Sequence, residues 1–447
     1  MAKNPLPDFS LPTTPDFTAA CDYLQQARKF GLKLGLETME ELATALGNPE
    51  QGLNFIHIAG TNGKGSTAAF CASVLQEVGA RVGLYTSPHL CSITERIRVN
   101  GQPISQEDFA AGIQIVQHLA LQKQLNPTFF EILTALALWY FQKQRIDWVV
   151  WETGLGGSLD ATNVVVPAVS IISNIGLDHT QYLGTTLEAI AREKAGIIKP
   201  GVPVVTAVSE PESLRVIEEV SRKLGSSLIR VGKDLPVEVL SLHPDRVATK
   251  INHHDFNLSL SGSYQALNAA CAYGALNQIR FNGQPIHIEE MQRGFAQAQW
   301  PGRFQLLRKK PPFVIDGAHN VDAVRVLIQS WNSVFNNQAY HLVFGSLSDK
   351  PFTEMAQLLR GTATRVTLVG VPSERTVTPD LLRPLFDGLP VQVVPNLENL
   401  WPALESDPMP ILLTGSLFLV GQALSLSNPT QYPTTDLALN ERLVIKN

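Results

Sequence analysis

The sequence predicts an α/β protein: a mostly parallel sheet covered by helices, followed by a second, smaller doubly wound unit. Three observations carry this. Short apolar runs alternate with helix-length segments along most of the chain, the pattern of strand–helix–strand units. The run Phe55-Ile56-His57-Ile58-Ala59 opens into the glycine-rich loop Gly60-Thr61-Asn62-Gly63-Lys64-Gly65-Ser66-Thr67 and then a helical stretch. The turn Trp300-Pro301-Gly302-Arg303 interrupts the alternation, which then restarts.

Taken in order, the glycine loop leads into a helix over about Ser66–Val78 and a strand over Arg81–Thr86. Helices are expected over about Gln106–Gln122 and Thr128–Gln144. The very apolar strand Trp148–Glu152 ends in Gly154-Leu155-Gly156-Gly157, and the strand Val169–Asn174 ends in Gly176-Leu177-Asp178-His179. A helix over Thr186–Ala195 stops at Gly196, and Lys199-Pro200-Gly201 turns the chain into the strand Val202–Val208. Residues 235–262 alternate and turn often, which suits a small β layer, and a helix over about Tyr264–Gln278 follows. Strands of the second unit are expected over about Phe313–Asp316, His341–Gly345, Arg365–Val369, Val391–Val394 and Pro410–Thr414. From Ser427 the chain is polar and rich in Pro and Thr, so the expected division is 1–300, 303–426 and a loosely held polar tail, 427–447.

Composition narrows the function classes. The 447 residues suffice for two or three domains, and 44% hydrophobic with 17% charged residues is ordinary for a globular enzyme. A net charge of −5 gives no electrostatic reason to expect nucleic acid as a partner. Cys21, Cys71, Cys91 and Cys271 are scattered with no C-x-x-C, which argues against a disulfide framework or zinc site and fits a reducing cytoplasm. Met1–Asp8 lacks the apolar core of a signal peptide. The most apolar stretch, Phe129–Phe141, contains Glu131 and is too short to span a bilayer, so no membrane partner is expected.

The glycine loop has the chemistry of a phosphate cradle. Glycines let the backbone approach an anion, the following helix presents its N–H groups, and Lys64 adds charge. A nucleoside triphosphate is the expected ligand; a plain glycine turn between strand and helix is the alternative. The loop departs from the standard Walker A pattern at two places. Ile58 stands where the first glycine belongs, and Gly65 follows the lysine where Ser or Thr belongs.

Ligands of open α/β sheets bind beyond the carboxyl ends of the strands, and several polar residues fall there. Ser87 follows the strand through Thr86, Glu152 ends its strand, and His179 follows the strand through Asn174. Two oxygen donors, an imidazole and a nucleotide phosphate suit Mg²⁺. Taken singly, Ser87 reads as a turn residue, Glu152 as a ligand rather than a paired structural carboxylate, and His179 equally as a loop residue or a ligand. Asp316-Gly317-Ala318-His319-Asn320 ends the first long strand of the second unit, and Thr414-Gly415-Ser416 repeats the arrangement on the last. Both suit ligand capture or simple turn formation. Arg303 at the boundary is placed to reach phosphates or to be a surface charge, and Lys194 in the last turn of its helix also serves the dipole.

These motifs, in this order, resemble the folylpolyglutamate synthase/dihydrofolate synthase family within the Mur ligase superfamily. The matching segments are 60–66, Ser87-Pro88-His89-Leu90, Thr128-Phe129-Phe130-Glu131, Glu152–Gly157, Asp178-His179, Glu193–Lys199, Pro301–Arg303 and Asp316–Asn320, and Gly65 after the lysine looks like the folate branch. The resemblance implies a P-loop-type ATPase domain, a Rossmann-like C-terminal domain and catalysis between them. It implies that Gly60, Thr61, Asn62, Gly63, Lys64, Gly65 and Ser66 hold ATP phosphates, with Asn268, Arg303 and Asp316 contacting ATP from the far side. Ser87, Glu152 and His179 look like Mg²⁺ ligands, and Lys194 like the family's carbamylated lysine. Thr128, Phe129, Phe130 and Glu131 with Leu159, Asp160 and Ala161 resemble pteroate-binding segments; His319 and Ser416 look like the glutamate site. The family motif usually has proline after Asn320, and here it is Val321.

The activity so implied is transfer of the ATP γ-phosphoryl to the carboxylate of dihydropteroate or of a reduced folate, then attack by the amine of L-glutamate, in a monomeric cytoplasmic enzyme. Lys64, Lys194 and His319 are the catalytic candidates, with no base for the amine singled out. A cell-wall precursor ligase, a P-loop kinase or GTPase, and a nucleotide-sensing module are the competing readings.

Overall fold

The computed structural model describes residues 14–28, 31 and 35–434. Met1–Asp8 and the part of the expected tail from 435 to 447 lie outside the described residues. The N-terminal part is built on an eight-stranded sheet of strands β1 (Asn54–Ala59), β2 (Val82–Tyr85), β3 (Ile97–Val99), β4 (Gln102–Pro103), β5 (Trp148–Glu152), β6 (Val169–Ile172), β7 (Val204–Thr206) and β8 (Leu228–Arg230). Their spatial order is β4-β3-β2-β5-β1-β6-β7-β8, and all neighbours are parallel except β2/β3 and β3/β4. β2, β5 and β6 are buried throughout, and β1 from its second residue, as expected of central strands covered on both faces.

The helix Phe129–Lys143 explains the most apolar stretch of the sequence. It is buried almost all round, with Phe141 against Gly83 of β2 and 6.3 Å from the ring of Trp151 of β5. A β-carbon at Gly83 would come within 2.9 Å of the Phe141 ring, so glycine is what lets helix and sheet approach. Phe141→Ala would cost about 3–5 kcal/mol. No helix among the described residues is long and apolar enough to cross a membrane.

A three-stranded antiparallel layer, β9 (Val237–His243), β10 (Arg246–Ile251) and β11 (His254–Leu258), and a short hairpin, β12 (Arg280–Phe281) and β13 (Gln284–Pro285), complete the N-terminal part. The second sheet comprises β14 (Gln305–Lys309), β15 (Pro312–Ile315), β16 (His341–Phe344), β17 (Arg365–Val369), β18 (Val391–Val394) and β19 (Ile411–Thr414). Its order is β14-β15-β19-β16-β17-β18, with only β14 antiparallel.

Three local features differ from the sequence reading. The phosphate-loop helix runs Lys64–Glu77, beginning two residues early because Gly63 caps it in the left-handed region (φ 84°). The antiparallel edges β3–β4 and β14 were not anticipated; half-exposed edge strands carry polar residues and lack a continuous apolar run. Within the expected tail, Tyr432 packs on the core of the second sheet, while the other described residues from Ser427 to Thr434 are exposed.

Candidate active site

The carboxyl ends of β1, β2, β5 and β6 lie at one edge of the first sheet, because these strands are mutually parallel. The carboxyl ends of β15, β19 and β16 lie together in the second sheet for the same reason. Between the two edges is a cavity of about 610 Å³. All the site residues singled out in the sequence line it: Gly60–Ser66, Ser87, Thr128–Glu131, Glu152, Leu159–Ala161, His179, Lys194, Asn268, Arg303, Asp316, His319 and Ser416.

The phosphate loop is held from β6. Asn62 N–H donates to Asn174 Oδ1 at 2.7 Å, Thr61 N–H to the Asn174 carbonyl at 3.0 Å, and Ser173 Oγ to the Asn62 carbonyl at 2.7 Å. A β-carbon at Gly63 would lie 2.4 Å from Asn268 Oδ1, so both backbone conformation and space require glycine there. The first-turn N–H groups of the helix that follows have no intrahelical acceptor and offer themselves to an anion. Lys64 Nζ donates to the Gly60 carbonyl at 3.0 Å and lies 3.9 Å from Glu152 Oε1. At Gly65 a β-carbon would come within 2.6–2.7 Å of the Trp300 indole, which explains the missing Ser or Thr.

Two charged groups sit deep in this wall. Glu152 is 3% exposed, and burial pushes its carboxyl up to about 7 against the opposing pull of Lys64, the Ser87 N–H and Arg303. Ser87 N–H donates to Glu152 Oε2 at 3.2 Å. Lys194 is 4% exposed and donates to the Gly60 carbonyl at 3.0 Å. Burial, then the Lys64 charge, pull its amine down to about 7, while Asp178, Asp160 and Glu193 oppose this. A carboxylate this poorly solvated, with Lys64 Nζ no nearer than 3.9 Å, favours an added cation. The Glu152 and Ser87 oxygens and the His179 imidazole are a donor set that suits Mg²⁺.

The segments flanking this wall divide by role. Thr128 and Glu131 form a capping box: Thr128 Oγ1 accepts from Glu131 N–H at 3.3 Å, and Thr128 N–H donates to Glu131 Oε2 at 2.7 Å. Asp160 accepts from the N–H groups of Gly154, Leu155 and Thr162 at 2.9, 2.7 and 3.0 Å and from the Thr162 hydroxyl. These polar atoms shape their own loops. The cavity is left with the apolar surfaces of Phe129, Phe130, Leu159 and Ala161, with the Arg96 guanidinium 5.5 Å above the Phe129 ring. A β-carbon at Gly154 would lie 2.4 Å from the Phe130 ring, which fixes that phenyl against the strand-end turn.

Across the cavity, Asp316 Oδ2 accepts from Phe304 N–H at 2.7 Å and from the Tyr264 hydroxyl at 3.2 Å, and Oδ1 accepts from Ala318 N–H at 2.8 Å. Burial raises its pKa and Arg303 opposes the rise. His319 Nδ1 lies 2.7 Å from the Gly317 carbonyl. Burial, then Lys350, hold its imidazole down at about 4. It is therefore neutral at physiological pH, with the proton on Nδ1 and an acceptor lone pair on Nε2, 4.0 Å from Asp178 Oδ2. Burial alone would raise Asp178, but Lys350, His179 and His319 hold it well below the usual carboxylate range. Ser416 Oγ accepts from Phe418 N–H at 3.2 Å, capping the helix Leu417–Ser427.

Besides the Tyr264–Asp316 hydrogen bond, side-chain links cross between the two halves at the cavity, among them Asn320 Nδ2 donating to Asp178 Oδ2 at 3.4 Å. Lys350 Nζ donates to Asp178 Oδ1 at 2.9 Å, and the amides of Asn62 and Asn320 exchange hydrogen bonds at 3.1 and 3.4 Å. Sequence reasoning missed Lys350, Tyr264, Arg96 and Arg375, all of which line the cavity. The strand-end rule would have found Lys350, which follows β16 by six residues.

Family models for the Mur ligase middle domain and for the Mur ligase glutamate ligase domain match residues 58–276 and 302–417. The chain is 38% identical over 432 residues to the dihydrofolate synthase/folylpolyglutamate synthase of Bacillus subtilis, covering 90% of this chain and 98% of that one. It is 36% identical to the folylpolyglutamate synthase of Lacticaseibacillus casei, covering 85% and 91%. Among solved structures, it resembles the folylpolyglutamate synthase of Thermotoga maritima (TM-score 0.83, 34% identity, 94% and 99% covered). It also resembles Escherichia coli FolC in complex with DHPP and ADP (TM-score 0.84, 30% identity, 95% and 100% covered).

Proposed function

Because the chain belongs to the Mur ligase family, among its folylpolyglutamate and dihydrofolate synthases, we propose the following reaction for the cavity between its two sheets. The protein is an ATP-dependent acid–amino-acid ligase that joins L-glutamate to dihydropteroate, to the γ-carboxyl of a reduced folate, or to both. The observation that carries this reading is the meeting of phosphate loop and 316–319 turn across one cavity, tied by Asp178–Lys350 and Asn62–Asn320.

A carboxylate is a poor electrophile, so it is activated first. An acceptor oxygen attacks the γ-phosphorus, the bond to the β-phosphate oxygen breaks, and ADP leaves. Lys64 and the first-turn N–H groups stabilise charge on the transferring phosphoryl. Ser87, Glu152 and His179 would hold Mg²⁺, which supplies further charge neutralisation there when bound. Phe129 and Phe130 stack the flat ring system of the acceptor. The amine of glutamate, after its ammonium gives one proton to solvent, attacks the acyl carbon; the bond to the phosphate oxygen breaks, a second N–H proton leaves with the phosphate, and the amide remains. Asp178 Oδ2 and His319 Nε2, two acceptors 4.0 Å apart, suit the incoming ammonium and take its hydrogen bonds. The lobes, taken as residues 1–300 and 303–426, exclude water from the intermediate when closed.

Lys194 is proposed to be carbamylated. An amine pulled down to about 7 is substantially unprotonated at neutral pH, as attack on CO₂ requires. Its nitrogen bonds to the CO₂ carbon and releases a second proton, which converts a repelled cationic neighbour of Lys64 into a carbamate anion beside it. We also propose a monomer acting in the cytosol, since one chain supplies both walls of the cavity.

ADP release measured with dihydropteroate and with tetrahydrofolate, each with and without L-glutamate, tests the reaction. Turnover requiring acceptor and glutamate together is expected. Glutamate-stimulated ADP release without an acceptor contradicts it, and a UDP-linked sugar peptide as the better acceptor would select the cell-wall branch.

A further inference from the structure

The linker between the sheets touches both halves of the site within three residues. Trp300 lies against the first turn of the helix Lys64–Glu77, where its Nε1, Cε2 and Cζ2 fill the place of any side chain at position 65. Two residues on, Gly302 adopts φ 73°, and its carbonyl accepts from Gly317 N–H at 2.9 Å, inside the 316–319 turn. A β-carbon at Gly302 would meet Val420 at 2.6 Å, so this end of the linker is packed onto the second sheet's last helix.

The indole is delivered rigidly. The preceding helix, Ile288–Gln297, lies directly on the phosphate-loop helix: a β-carbon at Gly294 would come within 2.6 Å of Val74 Cα, and Ser73 Oγ donates to the Gly294 carbonyl at 2.6 Å. Ser259 Oγ holds the Ala298 carbonyl just before the linker. The Arg98 guanidinium stacks 5.7 Å from the indole centre, and its Nε donates to the Glu95 carbonyl at 3.0 Å. The ring is thus packed between a fixed guanidinium and the backbone of residue 65, whose N–H is one of those facing the nucleotide site.

We propose that Trp300 is a positioning residue for the nucleotide: its indole takes the place of the Ser or Thr side chain of a standard phosphate loop and sets the first helical turn relative to the 316–319 turn. Gly65 is then a consequence of Trp300, and the two residues form one steric unit. This rests on the reading that residues 60–66 hold the ATP phosphates.

The test is a double-mutant cycle on the full-length protein, with ADP affinity measured by calorimetry and KM measured for ATP and for the pteroate acceptor. Gly65→Ala is expected to weaken ADP binding roughly tenfold, and Trp300→Ala less than that. Gly65→Ala/Trp300→Ala is expected to bind better than Gly65→Ala alone, because removing the indole makes room for the methyl group. The KM for the acceptor should stay within about twofold in Trp300→Ala, a selectivity that general loosening of the fold would not give. Multiplying losses in the double variant, or a Gly65→Ala that binds ADP normally, overturn the proposal. Should Gly65→Ala not fold, Trp300→Ala decides alone: an unchanged ADP affinity, or equal losses for ATP and acceptor, overturns it. Lys64→Ala runs in parallel. If it keeps wild-type ADP affinity the phosphate-loop reading fails, whereas its loss of binding beside an additive cycle refutes the role of Trp300 alone.

Discussion

Replacing Glu152 by Gln should stabilise the nucleotide-free protein while destroying its activity. The carboxyl is 3% exposed and its pKa rises from 4.5 to about 7, with burial outweighing Lys64 and the Ser87 N–H. A carboxyl whose folded pKa exceeds its unfolded value favours folding while protonated, and that advantage is lost as pH rises through the folded value. Between pH 4.5 and 7 the wild type therefore loses stability that the neutral, isosteric glutamine keeps. At 1.36 kcal/mol per pH unit the difference reaches about 3 kcal/mol above pH 7. Urea melts of both proteins without nucleotide or divalent cation, from pH 4.5 to 8.5, measure it. The gap should be near zero at the acid end and widen toward pH 7. Lys194 adds a slope of opposite sign above about pH 7, common to both proteins to first order, so the comparison isolates Glu152. A glutamine variant less stable at pH 8, or a gap independent of pH, would refute the claim that this carboxylate is held at the expense of stability.

Other outcomes follow from the same geometry. Lys64→Ala should abolish ATP turnover and measurable ADP binding by calorimetry. Lys194→Ala should be inactive and regain turnover with added short carboxylic acids; a variant that does not respond to them speaks against the carbamate. Lys350→Ala removes the partner of Asp178 at a site where both side chains are about nine-tenths buried. It should cost roughly 3–5 kcal/mol in urea melts, raise the KM for glutamate, and shift the His319 titration upward when followed by NMR. Phe130→Ala should raise the acceptor KM at least tenfold with the ATP KM unchanged, since an aromatic wall of the cavity is lost while the phosphate loop stays in place.

What was legible in the sequence was local. Strand β1, the glycines, Lys64 and the helix occupy consecutive residues, so their joint chemistry could be read without the fold. The strand-end rule located Ser87, Glu152, His179 and Asp316 for the same reason. The Thr128/Glu131 capping box was also readable as a Thr-x-x-Glu pattern before an apolar run, yet the resemblance drew attention to a binding role instead. What stayed hidden depends on distant partners. Asp178 and Lys350 are 172 residues apart, and neither reads as half of a pair by itself. Gly65 was visible as a departure from the Walker pattern, but its cause, the Trp300 ring, comes from the linker beyond the whole first sheet. The edge strands β3, β4 and β14 lack the apolar runs that announce the central ones.

The central claim is that a carboxylate is phosphorylated in this cavity before the amine of glutamate attacks it. Acceptor labelled with ¹⁸O in the reacting carboxylate provides the direct measurement. Mass spectrometry of the released phosphate should find one labelled oxygen per amide formed, carried over when the acyl–oxygen bond breaks. Label found only in the amide product or in water, with none in phosphate, would contradict the account.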